Sequence, residues 1–236
     1  MACKCLLAIC AIAALAVTAS VHPAGSADSP ERAVVFSGFP GGSVLSWLGT
    51  KGFVPRQDAG NPRRVVYSAS PSQLMLETKT RAFGLLVNEQ LNVRDFSRVR
   101  IEWGVDAFPA GASYERGIRS EAIMVYIFFG QERHPSGSTF VPNVPYFLAL
   151  FLCENDRTNE PFVGRFHQTN GRFICVAQPK LGATVTTDFP IAETFKRVFG
   201  KGQVPEISGI GVAIDTANVR GSGVAKSFIR KIEFLQ

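Results

Sequence analysis

Apolar and polar residues alternate most regularly between positions 99 and 106. The apolar positions of this stretch are Val99, Ile101, Trp103 and Val105. A period of two predicts a strand with one buried face and one solvated face, so Trp103 is expected in the core. Two later stretches, residues 123–129 and 146–152, are apolar at nearly every position. Such strands lie in a sheet that is covered on both faces, or in one whose second face forms a hydrophobic groove.

Shorter apolar runs, bounded by turn residues, predict further strands at 33–39, 64–70, 74–79, 82–87, 162–167, 172–177, 207–214 and 228–234. One amphipathic helix is predicted over residues 191–199, with Gly200 ending it, and the segment around Trp47 reads as a short helix or loop. Asn170-Gly171 predicts a tight hairpin. Many short strands with one late helix favour an all-β fold: an antiparallel β-sandwich of jelly-roll type with one peripheral helix.

The extreme N-terminus has the layout of a secretory signal peptide over residues 1–27. Lys4 precedes an apolar run, and Gly25-Ser26-Ala27 fits a small-residue cleavage site. An uncleaved anchor is the alternative. The expected mature chain is a single domain, residues 28–236, that is periplasmic or secreted and has no transmembrane segment after cleavage.

Cleavage after residue 27 would remove three of the five cysteines. Cys153 and Cys175 are the two that remain after the expected cleavage. They are predicted to form a disulfide, because an oxidising compartment favours pairing. They also lie on two strand-like runs, residues 146–153 and 173–177, and cross-strand pairing would bring them close enough to bridge. Two free buried thiols, or a metal site that recruits His134 and His167, are the alternatives.

Charge and motifs exclude several classes of function. The formal net charge of +6 is modest and dispersed. No basic stripe with interleaved aromatic residues is present, which argues against nucleic acid as a partner. The sequence contains no nucleophile elbow, no zinc-protease motif and no phosphate loop, so no catalytic residue is assigned.

Four aromatic residues are candidates for ligand binding, since aromatic faces suit the C–H side of sugar rings. Trp47 and Tyr114 lie in loop-like contexts, and Tyr126 and Tyr146 lie on strands with two apolar faces. Packing is the alternative role for each of them.

Acidic residues offer two further possibilities. Asp215 and Asn218, beside a Gly-Ser-Gly turn, are candidate ligands of a structural calcium ion, with ordinary turn hydrogen bonding as the alternative.

Glycoside hydrolysis needs two carboxyl groups at a set separation. Glu102 and Asp106 share one strand face about 13 Å apart, which is too far for the usual pair. Two different strands could still provide a pair, and Glu102 and Glu121 are the acids to test.

The chain resembles a known family over roughly residues 33–234, and the closing segment carries most of the matching residues. The matching segments are Val198-Phe199-Gly200, residues 204–207, residues 209–216 and Ile232-Glu233-Phe234, together with residues 101–105 and 122–129. They resemble an exported bacterial family known only as domain of unknown function 3047. The family carries paired acids where this chain reads Ser120-Glu121, and one more acid after Asp215-Thr216. The resemblance implies an exported sandwich domain similar in layout to carbohydrate-binding modules.

The function predicted from these observations is non-catalytic binding of a glycan or another polar polymer of the cell envelope. One alternative is a polysaccharide hydrolase or lyase. Another is an envelope assembly or structural subunit that binds a protein partner. No cofactor is predicted apart from the possible calcium ion.

Overall fold

The computed structural model describes residues 32–236. Its strands are β1 (Ala33–Val35), β2 (Val54–Gln57), β3 (Val65–Ala69), β4 (Leu74–Thr78), β5 (Phe83–Asn88), β6 (Arg98–Ala107), β7 (Glu121–His134), β8 (Val144–Leu152), β9 (Pro161–Phe162), β10 (Gly171–Ala177), β11 (Val185–Phe189), β12 (Ile207–Asp215) and β13 (Ala225–Leu235). The helices are α1 (Val44–Thr50) and α2 (Ile191–Phe199), and Asp58–Gly60 forms a 3₁₀ turn.

The strands form two sheets. Sheet A has the order β11-β6-β13-β4-β3, and β1 also pairs with β13. Sheet B has the order β2-β5-β12-β7-β8-β10-β9. Neighbouring strands are antiparallel except for β8 and β10, which run parallel. β7 and β12 therefore lie in the middle of sheet B.

The main core lies between the two sheets. Alternate residues of β6, β7, β8 and β12 point into it, and Trp103 is fully buried there, with its indole Nε1 donating to Thr187 Oγ1 over 2.9 Å. The predicted period-two pattern of β6 is confirmed. The opposite face of sheet A carries charged residues such as Arg98 and Arg100, which pair with Asp188.

The predicted fold class, a β-sandwich of jelly-roll type, is confirmed. Helix α2 has the predicted bounds, and Gly200 ends it in the left-handed conformation at φ 64°. The short segment that carries Trp47 is helical as α1. Within residues 32–236, no helix is long and apolar enough to cross a membrane. The expected signal peptide lies outside the described residues.

The tight hairpin predicted at Asn170-Gly171 is wrong. β9 does pair antiparallel with β10, but only through Pro161 and Phe162, so a longer loop joins them. The Asn170 side chain is fully buried and donates to the backbone oxygens of Val144 and Pro145, at 3.1 Å each. It anchors the start of β8 instead of shaping a two-residue turn.

Candidate functional site

The outer face of sheet B, turned away from sheet A, is apolar. A second hydrophobic cluster covers it, separate from the main core. Its members include Met124 and Phe128 of β7 and Phe147 and Phe151 of β8. The strands predicted to be apolar on both faces thus lie in a sheet with an apolar second face.

Tyr114 covers one half of this outer face. Its ring packs on Phe151, Phe162 and Phe173, with centroid distances of 4.5, 5.8 and 5.5 Å. The loop that carries it is tied down by buried Asp156, which accepts a hydrogen bond from the Tyr114 backbone N–H over 2.8 Å. The face above β8 and β10 is therefore filled by the protein's own side chains.

The other half lies above β5, β12 and β7. Alternate residues of β12 are small there, Gly209, Gly211 and Ala213, and they are buried between the flanking strands. The flanking side chains are half-buried, with Phe83, Leu85 and Val87 on β5 and Tyr126 and Phe128 on β7. We call this half, made of these eight residues, the open platform.

Tyr126 and Phe128 present their rings in a common orientation. Their planes lie within 9° of parallel, with centroids 6.0 Å apart. The ring of Phe147 supports both from the side, at 5.5 Å from Tyr126 and 6.0 Å from Phe128. The two half-buried rings therefore stack on each other along β7, beside the small residues of β12.

Two carboxyl groups stand at one end of the open platform. Asp215, the last residue of β12, is paired across the strands with Glu121, the first residue of β7. Side chains directly opposite on antiparallel strands have Cβ atoms about 5 Å apart. Glu121 is only 3% exposed and accepts a hydrogen bond from the Tyr114 hydroxyl at 3.1 Å, whereas Asp215 is half-buried.

Burial dominates the protonation chemistry of this pair. It raises the pKa of Asp215 to about 7, and the charge of nearby Asp58 adds to the rise. It also raises the pKa of Glu121 well above its usual range, with the charge of Asp215 adding to it. Burial and the two carboxylates raise the pKa of Tyr126. A charge on Asp215 therefore raises the pKa of Glu121, and charges on the two acids raise the pKa of Tyr126.

The structure separates the four predicted aromatic candidates. Tyr126 lies on the open platform, and Tyr114 is buried as the cover of the neighbouring half. Trp47 is 8% exposed and packs edge-on against Phe39. Tyr146 lies on the inner side of sheet B, where its ring contacts Phe195 and Phe199 of α2. Trp47 and Tyr146 are therefore not brought together with Tyr126.

The predicted calcium ligands make hydrogen bonds to the backbone. Asp215 Oδ1 accepts from the Ala217 N–H at 2.8 Å, and Asn218 Nδ2 donates to the Arg119 oxygen at 2.7 Å. Among residues 32–236, no three His, Cys, Asp or Glu side chains gather into a metal-binding group. Calcium at this turn stays a prediction.

Cys153 and Cys175 form the predicted disulfide. It joins the end of β8 to the neighbouring parallel strand β10.

The other candidate acids and the histidines lie apart from the open platform or from each other. Glu102 and Asp106 belong to sheet A, away from the open platform. His134 contacts Tyr146 and His167 contacts Phe147, which point to opposite sides of sheet B, so the two histidines do not form a site together.

Sequence reasoning missed Phe128, the small strip of β12 and the pairing of Glu121 with Asp215. The sequence does contain a signal for the strip: Gly209, Gly211 and Ala213 are small residues at every second position, and Asp215 follows at the same spacing. Because side chains alternate between the two faces of a strand, this spacing predicts small side chains on one face with an acid at the end of the row.

No family model and no curated protein matches the chain. The chain is similar in structure to the xyloglucanase domain of NopAA, a type three effector from Sinorhizobium fredii, with 10% identity over 87% of this chain and 99% of that one and a TM-score of 0.42. It is also similar to a mutant of the family 29 carbohydrate-binding module CBM29-2, with 8% identity over 86% and 91% of the two chains and a TM-score of 0.36. For the Emp46p carbohydrate recognition domain, the identity is 10% over 78% and 88%, with a TM-score of 0.37. These scores are low, and the function proposed below rests on the side chains of this chain.

Proposed function

We propose that this protein binds a glycan chain on the open platform, outside the cytoplasm. The observation that carries the proposal is the pair of parallel, half-buried rings of Tyr126 and Phe128 beside the small strip of β12. Sugar rings present an apolar C–H face that packs on aromatic rings, while their hydroxyl groups need polar partners at the edge. Asp215 supplies such a partner at the end of the strip.

Two further features support this assignment. The Cys153–Cys175 disulfide favours an oxidising compartment, where envelope polymers are found. The platform runs along three neighbouring strands, β5, β12 and β7, and an extended polymer can make contacts along such strands. The resemblance to domain of unknown function 3047 is compatible with export and remains a prediction.

The test is binding of the chain 28–236 to a panel of soluble polysaccharides, followed by titration calorimetry with oligosaccharides of the class that binds. Tyr126→Ala is expected to weaken binding about tenfold, the usual effect of removing a central aromatic contact. Tyr126→Leu keeps apolar volume without a ring face and should also bind weakly. The matched control is Phe140→Ala, which removes a 95% exposed ring from a loop outside the platform and should leave affinity unchanged.

Three outcomes separate the possible functions. Binding that depends on Tyr126, with the oligosaccharide recovered intact, supports the proposal. Shortened products in the mass spectrum favour the polysaccharide hydrolase. Affinity that is unchanged by both substitutions at Tyr126, or absent for every glycan class, contradicts binding at the platform.

A further inference from the structure

The segment that carries Tyr114 is a small unit on a stem. This segment, residues 108–120, joins β6 to β7, and we call it the Tyr114 loop. Ser113 and Ile118 bridge its tip, with N–H to oxygen distances of 2.9 and 2.8 Å, so the tip is a closed turn. Gly111, just before the tip, has a φ of 74°, and none of the described residues would lie within 4 Å of a Cβ there. A closed turn on such a stem can move as one unit.

Polar contacts to the segment between β8 and β9 hold this tip in place. The Asp156 carboxylate, 3% exposed, accepts hydrogen bonds from the Ser113 hydroxyl and from the backbone N–H groups of Tyr114 and Glu115, the latter two at 2.8 and 3.3 Å. Glu115 Oε1 in turn accepts from the backbone N–H and the Nε of Arg157, at 2.7 and 3.1 Å. The position of Tyr114 therefore depends on where Asp156 is held.

The disulfide holds Asp156. The segment of residues 154–160 begins directly after Cys153, and near its other end the Asn159 N–H donates to the Cys175 backbone oxygen over 2.7 Å. Both ends of the segment are thus attached to the two bonded cysteines. Between them, the Asp156 backbone oxygen accepts from Gln178 Nε2 at 2.8 Å. Cleaving the bond between the sulfurs lets the two ends separate, and Asp156 moves with them.

The surface under the Tyr114 ring is aromatic and continues into the open platform. The ring lies on Phe151, Phe162 and Phe173, as described above. Phe173 also contacts Tyr126 edge-on, with their ring centroids 6.3 Å apart. Removing Tyr114 from this position therefore exposes rings that adjoin the open platform. A large exposed aromatic patch is typical of an interaction surface.

We infer that the Cys153–Cys175 disulfide is a redox-sensitive switch: it keeps the Tyr114 loop closed through Asp156, and its reduction by a dithiol opens the loop and uncovers the rings beneath. Both sheets stay paired through their backbone hydrogen bonds. The inference does not depend on glycan binding.

The reduction is an ordinary thiol–disulfide exchange. One dithiol sulfur attacks Cys153, which is 5% exposed, and fully buried Cys175 leaves as a thiolate that takes up a proton. The second dithiol sulfur attacks the mixed disulfide and releases Cys153 in the same way. The dithiol becomes a disulfide by losing two electrons and two protons, and the two cysteines gain them.

The experiment follows ring contacts by NMR in the chain 28–236, oxidised and after reduction with dithiothreitol. The cross-peak between the ring protons of Tyr114 and Phe151, whose centroids are 4.5 Å apart, should be lost on reduction. The cross-peak between Phe129 and Phe195 of the main core, at 4.7 Å, should persist and shows that the sandwich is intact. The Tyr114 amide, which loses its bond to Asp156, should exchange with solvent at least about tenfold faster.

Two variants test whether the effect passes through Asp156. Asp156→Ala keeps the disulfide and removes the contact, so the oxidised variant should already lack the Tyr114–Phe151 cross-peak, and reduction should change nothing further there. The matched control is Glu154→Ala, an exposed acid of the same segment. It should keep the cross-peak when oxidised and lose it when reduced, like the native chain.

Each other result overturns the inference. A Tyr114–Phe151 cross-peak that survives reduction means that the loop stays closed without the disulfide. Loss of the Phe129–Phe195 cross-peak as well means that reduction loosens the whole sandwich and not this loop. A cross-peak that persists in oxidised Asp156→Ala rules out the path through Asp156. If Asp156→Ala does not fold, Glu115→Ala, which removes the contacts to Arg157, should weaken the cross-peak, and an unchanged peak contradicts the assignment.

Discussion

The carboxyl pair at the end of β12 links the stability of the fold to pH. Burial raises the pKa of the Asp215 carboxyl from 3.8, its ordinary value, to about 7 in the folded chain. Between these values the folded chain holds a proton that the unfolded chain has lost. The free energy of unfolding therefore falls as pH rises through this window, and Glu121, whose pKa is also raised, acts in the same direction.

We expect Asp215→Asn to stabilise the protein above pH 7 by about 1–3 kcal/mol and to flatten this pH dependence, because the penalty for a buried charge is removed. The Asn side chain can still accept the Ala217 N–H bond. Urea denaturation at a series of pH values measures the effect. The control Asp106→Asn, at an exposed position of sheet A, should keep the slope of the native chain. Asp215→Asn should keep only the part of the slope that Glu121 contributes, and an undiminished slope would contradict the linkage.

A second residue-scale prediction concerns the small strip. A Cβ added at Gly209 would lie 2.7 Å from the Asn88 backbone oxygen and 3.3 Å from the Glu89 Cα, so β12 and its neighbour must move apart. Gly209→Ala should destabilise the chain by about 1–3 kcal/mol, the usual cost of overpacking. Gly202→Ala, where nothing lies within 4 Å of the added atom, is the control and should be close to neutral in thermal melting.

Residue environments were predictable from the sequence where local pattern decides them. Trp103 was placed in the core from alternation alone. The exposure of Tyr126, Tyr114 and Tyr146 was not predictable, because each lies on or beside a strand that is apolar on both faces. Which face is covered depends on a loop or helix from elsewhere in the chain: Tyr114 covers one half of the outer face, and α2 covers Tyr146.

At the scale of the elements, α2 closes one end of the main core with a cluster of rings. Phe195 contacts Phe129, Tyr146 and Phe199 at centroid distances of 4.7, 5.7 and 5.0 Å. Its side chain is fully buried. The helix is thus held by tertiary packing, which short helices need.

Phe195→Ala should therefore lower the free energy of unfolding by about 3–5 kcal/mol, the cost of a large cavity in a core. Denaturant titration measures it. Lys196→Ala alters an exposed residue of the same helix and should cost much less. Comparable losses in the two variants would mean that α2 contributes through helix propensity and not through Phe195.

Sequence reasoning missed the strands β2 and β11 and the longer loop before β10. Asn-Gly is a strong local hairpin signal, but it was overridden by pairing with β8, which sets β10 parallel to a strand that is not its neighbour along the chain. Local turn chemistry cannot report such a pairing, since a parallel pair needs a long connection.

At the scale of the whole molecule, the disulfide joins two strands of sheet B across a sequence separation of 22 residues. Reducing it should lower the free energy of unfolding by about 3 kcal/mol, because the unfolded chain regains the freedom of the closed loop. Urea titration with and without reductant measures this, and the double variant Cys153→Ser/Cys175→Ser should match the reduced protein. A reduced chain as stable as the oxidised one would show that the bond is structurally neutral.

The sandwich was predictable from the spacing of its strands, whereas the candidate site was not. Glu121 and Asp215 were both noticed in the sequence, as separate acids. Their meeting depends on the register between β7 and β12, including an irregularity between Ala213 and Asp215. Shifts of this kind place a side chain on one face or the other, and no local pattern in either strand determines them.

The position of β13 has a consequence for how the chain is made. β13 follows every other described strand along the chain, yet it lies in the middle of sheet A and pairs with β1, β4 and β6. Until it emerges from the ribosome, β4 and β6 have no partner on that side and expose unpaired backbone edges. The nascent chain therefore cannot complete sheet A before β13 has emerged, and a chaperone that recognises open strand edges can bind it until then.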